Sequence, residues 1–129
     1  TPSAFSLAMI QNKPYLAFHQ GALAVKQWSG GAWSSVGAPL DAVAIHPYLT
    51  GVEGTPYLLF AAPGSAAGTK SLQVSSWNGT AWTAKGSRLN QDTNDEVELL
   101  SLSMASAGNT LYAAWIEGGT IHLMSSAFK

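Results

Sequence analysis

Hydrophobic and polar positions alternate along this chain in short runs that Gly, Pro, Asn and Ser keep interrupting. Residues 5–10, 14–18, 23–28 and 32–36 are rich in Phe, Leu, Ile, Val, Tyr and Trp. Each run ends at a turn signal: Gln11-Asn12-Lys13, His19-Gln20-Gly21, Ser29-Gly30 and Gly37-Ala38-Pro39. Runs of this length, bounded in this way, read as antiparallel strands joined by tight turns. Pro14 opens its run, where a missing N–H does a ladder least harm. The same punctuation argues against helix, because few uninterrupted stretches reach the length an amphipathic helix needs.

The order then starts again. Residues 41–49, 56–60, 71–77 and 81–85 supply four more strands, ending at Gly86. Tyr15 and Tyr57 correspond at a separation of 42 residues, whereas Trp28 with Trp77, and Trp33 with Trp82, are 49 apart. The difference falls in the Gly-, Ala- and Ser-rich stretch 61–70, and insertions belong in surface loops. A third copy offers 97–104, 111–115 and 120–126, with Tyr112 matching Tyr57, but no Trp hairpin and no fourth strand.

A period of roughly 40 to 50 residues with four strands in each repeat is the signature of a β-propeller blade. Repetition has a physical reason: a four-stranded blade has two apolar faces and can cover neither alone. The expected fold is all-β, a β-propeller of four-stranded antiparallel blades at about 5–39, 40–88 and 89–129, the first two complete and the third lacking its outer strand. A β-sandwich would use similar strands without requiring the matched Trp hairpins. In the hairpin Trp77-Asn78-Gly79-Thr80-Ala81-Trp82, Asn-Gly predicts a two-residue turn that pairs Trp77 with Thr80 and leaves Trp82 further along the same face. Ser29-Gly30 serves similarly between Trp28 and Trp33. Two indoles on one face need another sheet to lie against.

Composition narrows the function. At 129 residues and 47% hydrophobic the chain is one domain with enough apolar surface for a core. Charged residues are only 10% and the net charge is −1, so no footprint for nucleic acid or an anionic membrane is present. No apolar run approaches the roughly 18 residues of a membrane helix, so no membrane insertion is expected. The absence of Cys removes disulfides, thiolate metal sites and Cys nucleophiles together. The start at Thr1-Pro2-Ser3-Ala4 without Met implies either a removed leader or a segment of something longer, and low charge with abundant Ser, Gly, Thr and Trp points to a secreted or extracellular protein.

The succession Pro-Tyr-Leu-x-Phe, an apolar strand, then Trp-Asn-Gly-Thr-Ala-Trp-x-x-x-Gly resembles the repeats of bacterial extracellular β-propellers, including propeller lectins and Asp-box sialidase-like proteins. It covers two full copies from Phe5 to Gly86 and a partial third to Ser126. The resemblance implies a propeller; it carries over no catalytic site. Ser76-Trp77-Asn78-Gly79 has one residue too few before the Gly, and no Asp, for an Asp-box. The Glu that fucose-binding propeller lectins place three residues before the hairpin Trp is Val25 or Val74 here. Sialidase chemistry would need several Arg converging on a carboxylate, and Arg88 is the sole Arg.

His19, His46 and His122 show no metal-ligand spacing, and Ser65 lacks a nucleophile elbow. The stretch Asp92-Thr93-Asn94-Asp95-Glu96, with Glu98, concentrates oxygen side chains that Ca²⁺ could use, but a solvated inter-blade connection explains it. No cofactor is expected. Asn78-Gly79-Thr80 is an N-glycosylation sequon on an exposed turn. Trp28 and Trp77 are expected between blades. Trp33, Trp82 and Trp115 are the candidates for a surface on which sugar rings stack.

Three blades cannot close a ring, so other copies of the chain or a partner chain must complete it and cover the bare faces and edge. The function expected is a non-catalytic extracellular module that recognises carbohydrate or another ligand. The alternative is a structural subunit of a larger extracellular complex or filament.

Overall fold

The computed structural model describes residues 4–40, 44–63, 70–86, 88–90 and 102–127. Among these residues every regular element is a strand. A first sheet contains β1 (Ala4–Ile10), β2 (Lys13–His19), β3 (Leu23–Ser29) and β4 (Ala32–Ser35). A middle sheet contains β5 (Ala44–Val52), β6 (Thr55–Pro63), β7 (Lys70–Trp77) and β8 (Trp82–Ala84). The last sheet has β9 (Ser103–Ala107), β10 (Thr110–Glu117) and β11 (Thr120–Ala127). Strands adjacent in sequence pair antiparallel throughout, so each sheet is a meander. The all-β class and the groups of four, four and three strands agree with the sequence. Among the described residues the sheets close into no barrel or ring.

The turns correct two registers. The first Trp hairpin turns at Gly30-Gly31, with φ of 62° and 89°, so Ser29 pairs with Ala32 and Trp28 with Trp33. Only glycine takes two successive left-handed positions without steric cost, and that displaces the turn one residue from Ser29-Gly30. The second hairpin uses four turn residues instead of two. Asn78 Oδ1 accepts the backbone N–H of Thr80 and of Ala81, each at 2.8 Å, and Trp77 pairs with Trp82 rather than Thr80. An Asn side chain that mimics a backbone turn holds the wider loop.

Strand boundaries also move: β6 runs past Phe60 to Pro63, so Ala61 and Ala62 are buried strand residues and not part of the expected loop, and β10 runs past Trp115 to Glu117. β5 runs on to Val52 because Thr50 and Val52 suit a strand and the turn falls on Glu53-Gly54, with φ of 49° and 80°. β9 runs past Met104 to Ala107, where Ser106 pairs with Leu111 and Ala105 with Tyr112. Of the expected strands, residues 41–43 and 97–101 lie outside the described residues, as does the stretch from Asp92 to Glu98.

The middle sheet is covered on both faces. Tyr57 and Leu59 of β6 join Val52, Leu72 and Val74 against Met104, Leu111, Ala113 and Trp115 of the last sheet. Leu58, Phe60 and Ala62 turn the other way, with Leu49, against Ile10, Ala17, Leu23 and Val25 of the first sheet. This is the period-two alternation of a strand whose two faces are both interior, and it explains why β6 reads as an unbroken apolar run. Leu58 and Leu59 are fully buried, each contributing about 1.5–3 kcal/mol of transfer free energy.

Register makes the three sheets equivalent position by position. Leu7 pairs with Leu16, Leu49 with Leu58 and Met104 with Ala113. His19 pairs with Leu23, Ala61 with Leu72 and Ile116 with Ile121. Equivalent positions have unequal surroundings: Leu49 is 3% exposed and Leu7 61%; Leu72 is 1% exposed and Ile121 75%. The unequal members are those on the two outer faces of the stack.

Candidate functional site

The Trp pairs are built by their hairpins. Because Trp28 lies directly across from Trp33, their side chains share a face, and the rings meet edge to face with centroids 5.3 Å apart at 66°. Trp77 and Trp82 form the equivalent pair at 5.6 Å and 53°. The expectation that both indoles of a hairpin share one face is correct.

What covers the two pairs differs. Trp77 and Trp82 pack against the core between the first and middle sheets. The Trp82 indole N–H donates to the Val36 carbonyl at 2.8 Å. Gly37 follows with φ of +77°, so close that a Cβ there would stand 2.5 Å from the Trp77 ring. A corner of the first sheet therefore seats on the middle sheet's indoles. Trp28 and Trp33 face away from the middle sheet, and each is 40% exposed. The expected burial of Trp28 between blades is not met, because nothing in the described structure lies on that side of the first sheet.

On the same outward face strand alternation places Lys26 and its pair Ser35, then Leu16 and Phe18. On the same face Phe5, Leu16, Phe18 and Gln20 line an open hollow of about 510 Å³. The face thus offers two indole rings, one ammonium group and a hydroxyl, and elsewhere on it an apolar depression. That chemistry suits a ligand with apolar ring faces and hydroxyl edges.

The other candidates are dispersed. Trp82 is half-buried between sheets, as described. Trp115 is 3% exposed within the core; its indole N–H donates to Glu117 Oε2 at 3.0 Å, and its ring stacks on His122 at 5.8 Å and 12°. Trp33, Trp82 and Trp115 sit on three different sheets and make no common surface. Asn78 is exposed, and its Oδ1 also accepts the Thr80 hydroxyl at 2.9 Å. Among the described residues no group of three His, Asp or Glu could hold a metal ion. Ser65 lies outside the described residues.

No family model matches this chain, and no curated protein matches it.

Two polar residues escaped sequence reasoning. Glu117 is buried at 3% exposure beside Trp115, at a position where the other repeats carry Gln20 and Ala62, and nothing local in the sequence marks it as interior. Asn90 is 2% exposed and clips the start of β7: its Oδ1 accepts the Leu72 N–H at 2.8 Å and its Nδ2 donates to the Lys70 carbonyl at 3.1 Å. A buried amide satisfied by two backbone partners is a structural device. Burial also pushes the Tyr57 phenol above its ordinary pKa of 10.0, against a smaller opposite effect of its hydrogen bond with Ser76.

Proposed function

We propose that this chain is a non-catalytic, extracellular β-propeller segment that recognises carbohydrate through the exposed Trp28–Trp33 pair, its ring completed by further blades. Three meanders of one strand order, stacked through equivalent faces, support the blade reading. So does the contact of β5 with both β1 and β9, since the first strands of propeller blades converge on an axis. The ligand reading rests on a single observation: one Trp pair is seated under a neighbouring corner while its equivalent stands open. Indole rings held rigid by a hairpin stack on the apolar face of a sugar at little entropic cost.

Titrating the protein with a glycan panel while following Trp fluorescence tests this. Saturable quenching by at least one sugar is expected, abolished in Trp33→Ala and kept in Trp82→Phe. Quenching that survives Trp33→Ala, or no response across the panel, overturns the ligand reading. The second reading, a structural subunit of a larger extracellular assembly, is favoured by the apolar outer face of the last sheet, where Ile121 is 75% and Leu123 71% exposed.

A further inference from the structure

The two outer faces of the stack are opposite in kind. In the first and middle sheets, Leu23 with Val25, and Leu72 with Val74, are buried on the side that receives the following sheet. Their equivalents in the last sheet, Ile121 and Leu123, are exposed, and Tyr112 beside them is 41% exposed where Tyr57 is 4%. On the opposite side, Leu49 with Leu58, and Met104 with Ala113, are buried against the preceding sheet. Their equivalents Leu7 and Leu16 stand on the open face of the first sheet, with Phe5 73% exposed beside them. One face is an unused giving half of the internal junction; the other is an unused receiving half.

We propose that a second copy of this chain is the occupant: the Tyr112–Ile121–Leu123 face of one copy docks on the Phe5–Leu7–Phe18 face of another, repeating the junction found twice inside the chain. The inference rests on the blade reading above and not on the carbohydrate. It fixes the assembly as head to tail, because neither face is complementary to itself. Among the described residues each copy brings three sheets, and propellers close with about four to eight blades, so two copies carrying these sheets give six. In such a ring the three-stranded sheet covers Phe5, Leu7 and Phe18 but has no fourth strand, among the described residues, to lay a corner over Trp28 and Trp33. The indole pair then stands at the junction between copies, open to ligand.

Light scattering on the full chain and two variants tests this. Leu7→Glu and Ile121→Glu change residues that are 61% and 75% exposed, so neither disturbs the free fold, while each puts an unpaired carboxylate into the docked face. Wild type is expected at twice the 13.5 kDa chain mass. Either variant alone is expected at the single-chain mass, with association weakened at least about 100-fold by the buried charge. An equal mixture of the two variants is expected to regain the two-chain species, because one of its junctions keeps both Leu7 and Ile121. A wild-type monomer that keeps a cooperative β-sheet circular dichroism signal overturns the docking and leaves the blade reading standing. Loss of association in one variant only would mean a symmetric face and overturns the head-to-tail junction. A mass that grows without limit overturns the closed ring. A chain without cooperative β structure would remove the blade reading itself.

Discussion

Gly37 and Gly86 occupy the same place in successive sheets, 49 residues apart, each just past the fourth strand with φ near +77°. Nothing lies within 4 Å of a Cβ built at Gly86, whereas at Gly37 it would strike the Trp77 ring. Ala at either position meets the left-handed backbone penalty, about 1–2 kcal/mol. At Gly37 it must also displace an indole wedged in the core, adding about 1–3 kcal/mol. Urea denaturation of Gly37→Ala and Gly86→Ala should therefore show the first to be the more destabilised, by about the packing cost alone. Equal losses would mean that the corner does not seat on Trp77. Local chemistry of this kind was partly legible. Asn78-Gly79 marked a turn, and two Trp on one side were anticipated, but the choice between two and four turn residues depended on Asn78 Oδ1 capping two N–H groups. That choice is made by a side-chain torsion, which sequence does not display.

Strands were the most legible elements, because both-sided burial and one-sided burial write different patterns. β6, interior on both faces, reads Pro-Tyr-Leu-Leu-Phe-Ala-Ala, whereas β1 alternates small Ala4, Ser6 and Ala8 with large Phe5, Leu7 and Met9, the large residues on the exposed face. What a strand faces was not legible. Leu23, Leu72 and Ile121 are equivalent in register and alike in chemistry, yet Ile121 is 75% exposed, with no described residue packed over that face. Truncation should expose the difference. Leu72→Ala removes a side chain packed on all sides and should cost about 2–5 kcal/mol of unfolding free energy. Ile121→Ala, measured at a dilution where copies are separate, should cost within about 0.5 kcal/mol of zero, as exposed substitutions do. Guanidinium titration of both variants decides it; a large loss for Ile121→Ala in the dilute chain would mean that β11 has a cover within its own chain.

At the scale of the whole molecule, cover is distributed unevenly, and stability should follow cover. The middle sheet is sandwiched, and its β6 is hydrogen-bonded on both sides, to β5 and β7. Among the described residues the last sheet has three strands, one apolar face in water, and β11 as an edge paired only to β10. Local opening free energies scale with the buried apolar contacts that opening must break, and the last sheet breaks one interface where the middle sheet breaks two. Native-state amide exchange should rank them accordingly. The amides of β6 are expected to exchange only through global unfolding, and those of β10 paired to β11 through a smaller opening that leaves β6 protected. Raising protein concentration should slow that smaller opening selectively, since a second copy seated on Tyr112, Ile121 and Leu123 must leave before the last sheet can open. Protection of β10 that equals β6 at every concentration would show the stack to be one cooperative unit. Protection that is lower but independent of concentration would separate the uneven stability, which belongs to the single chain, from the docking of copies, which would then be wrong.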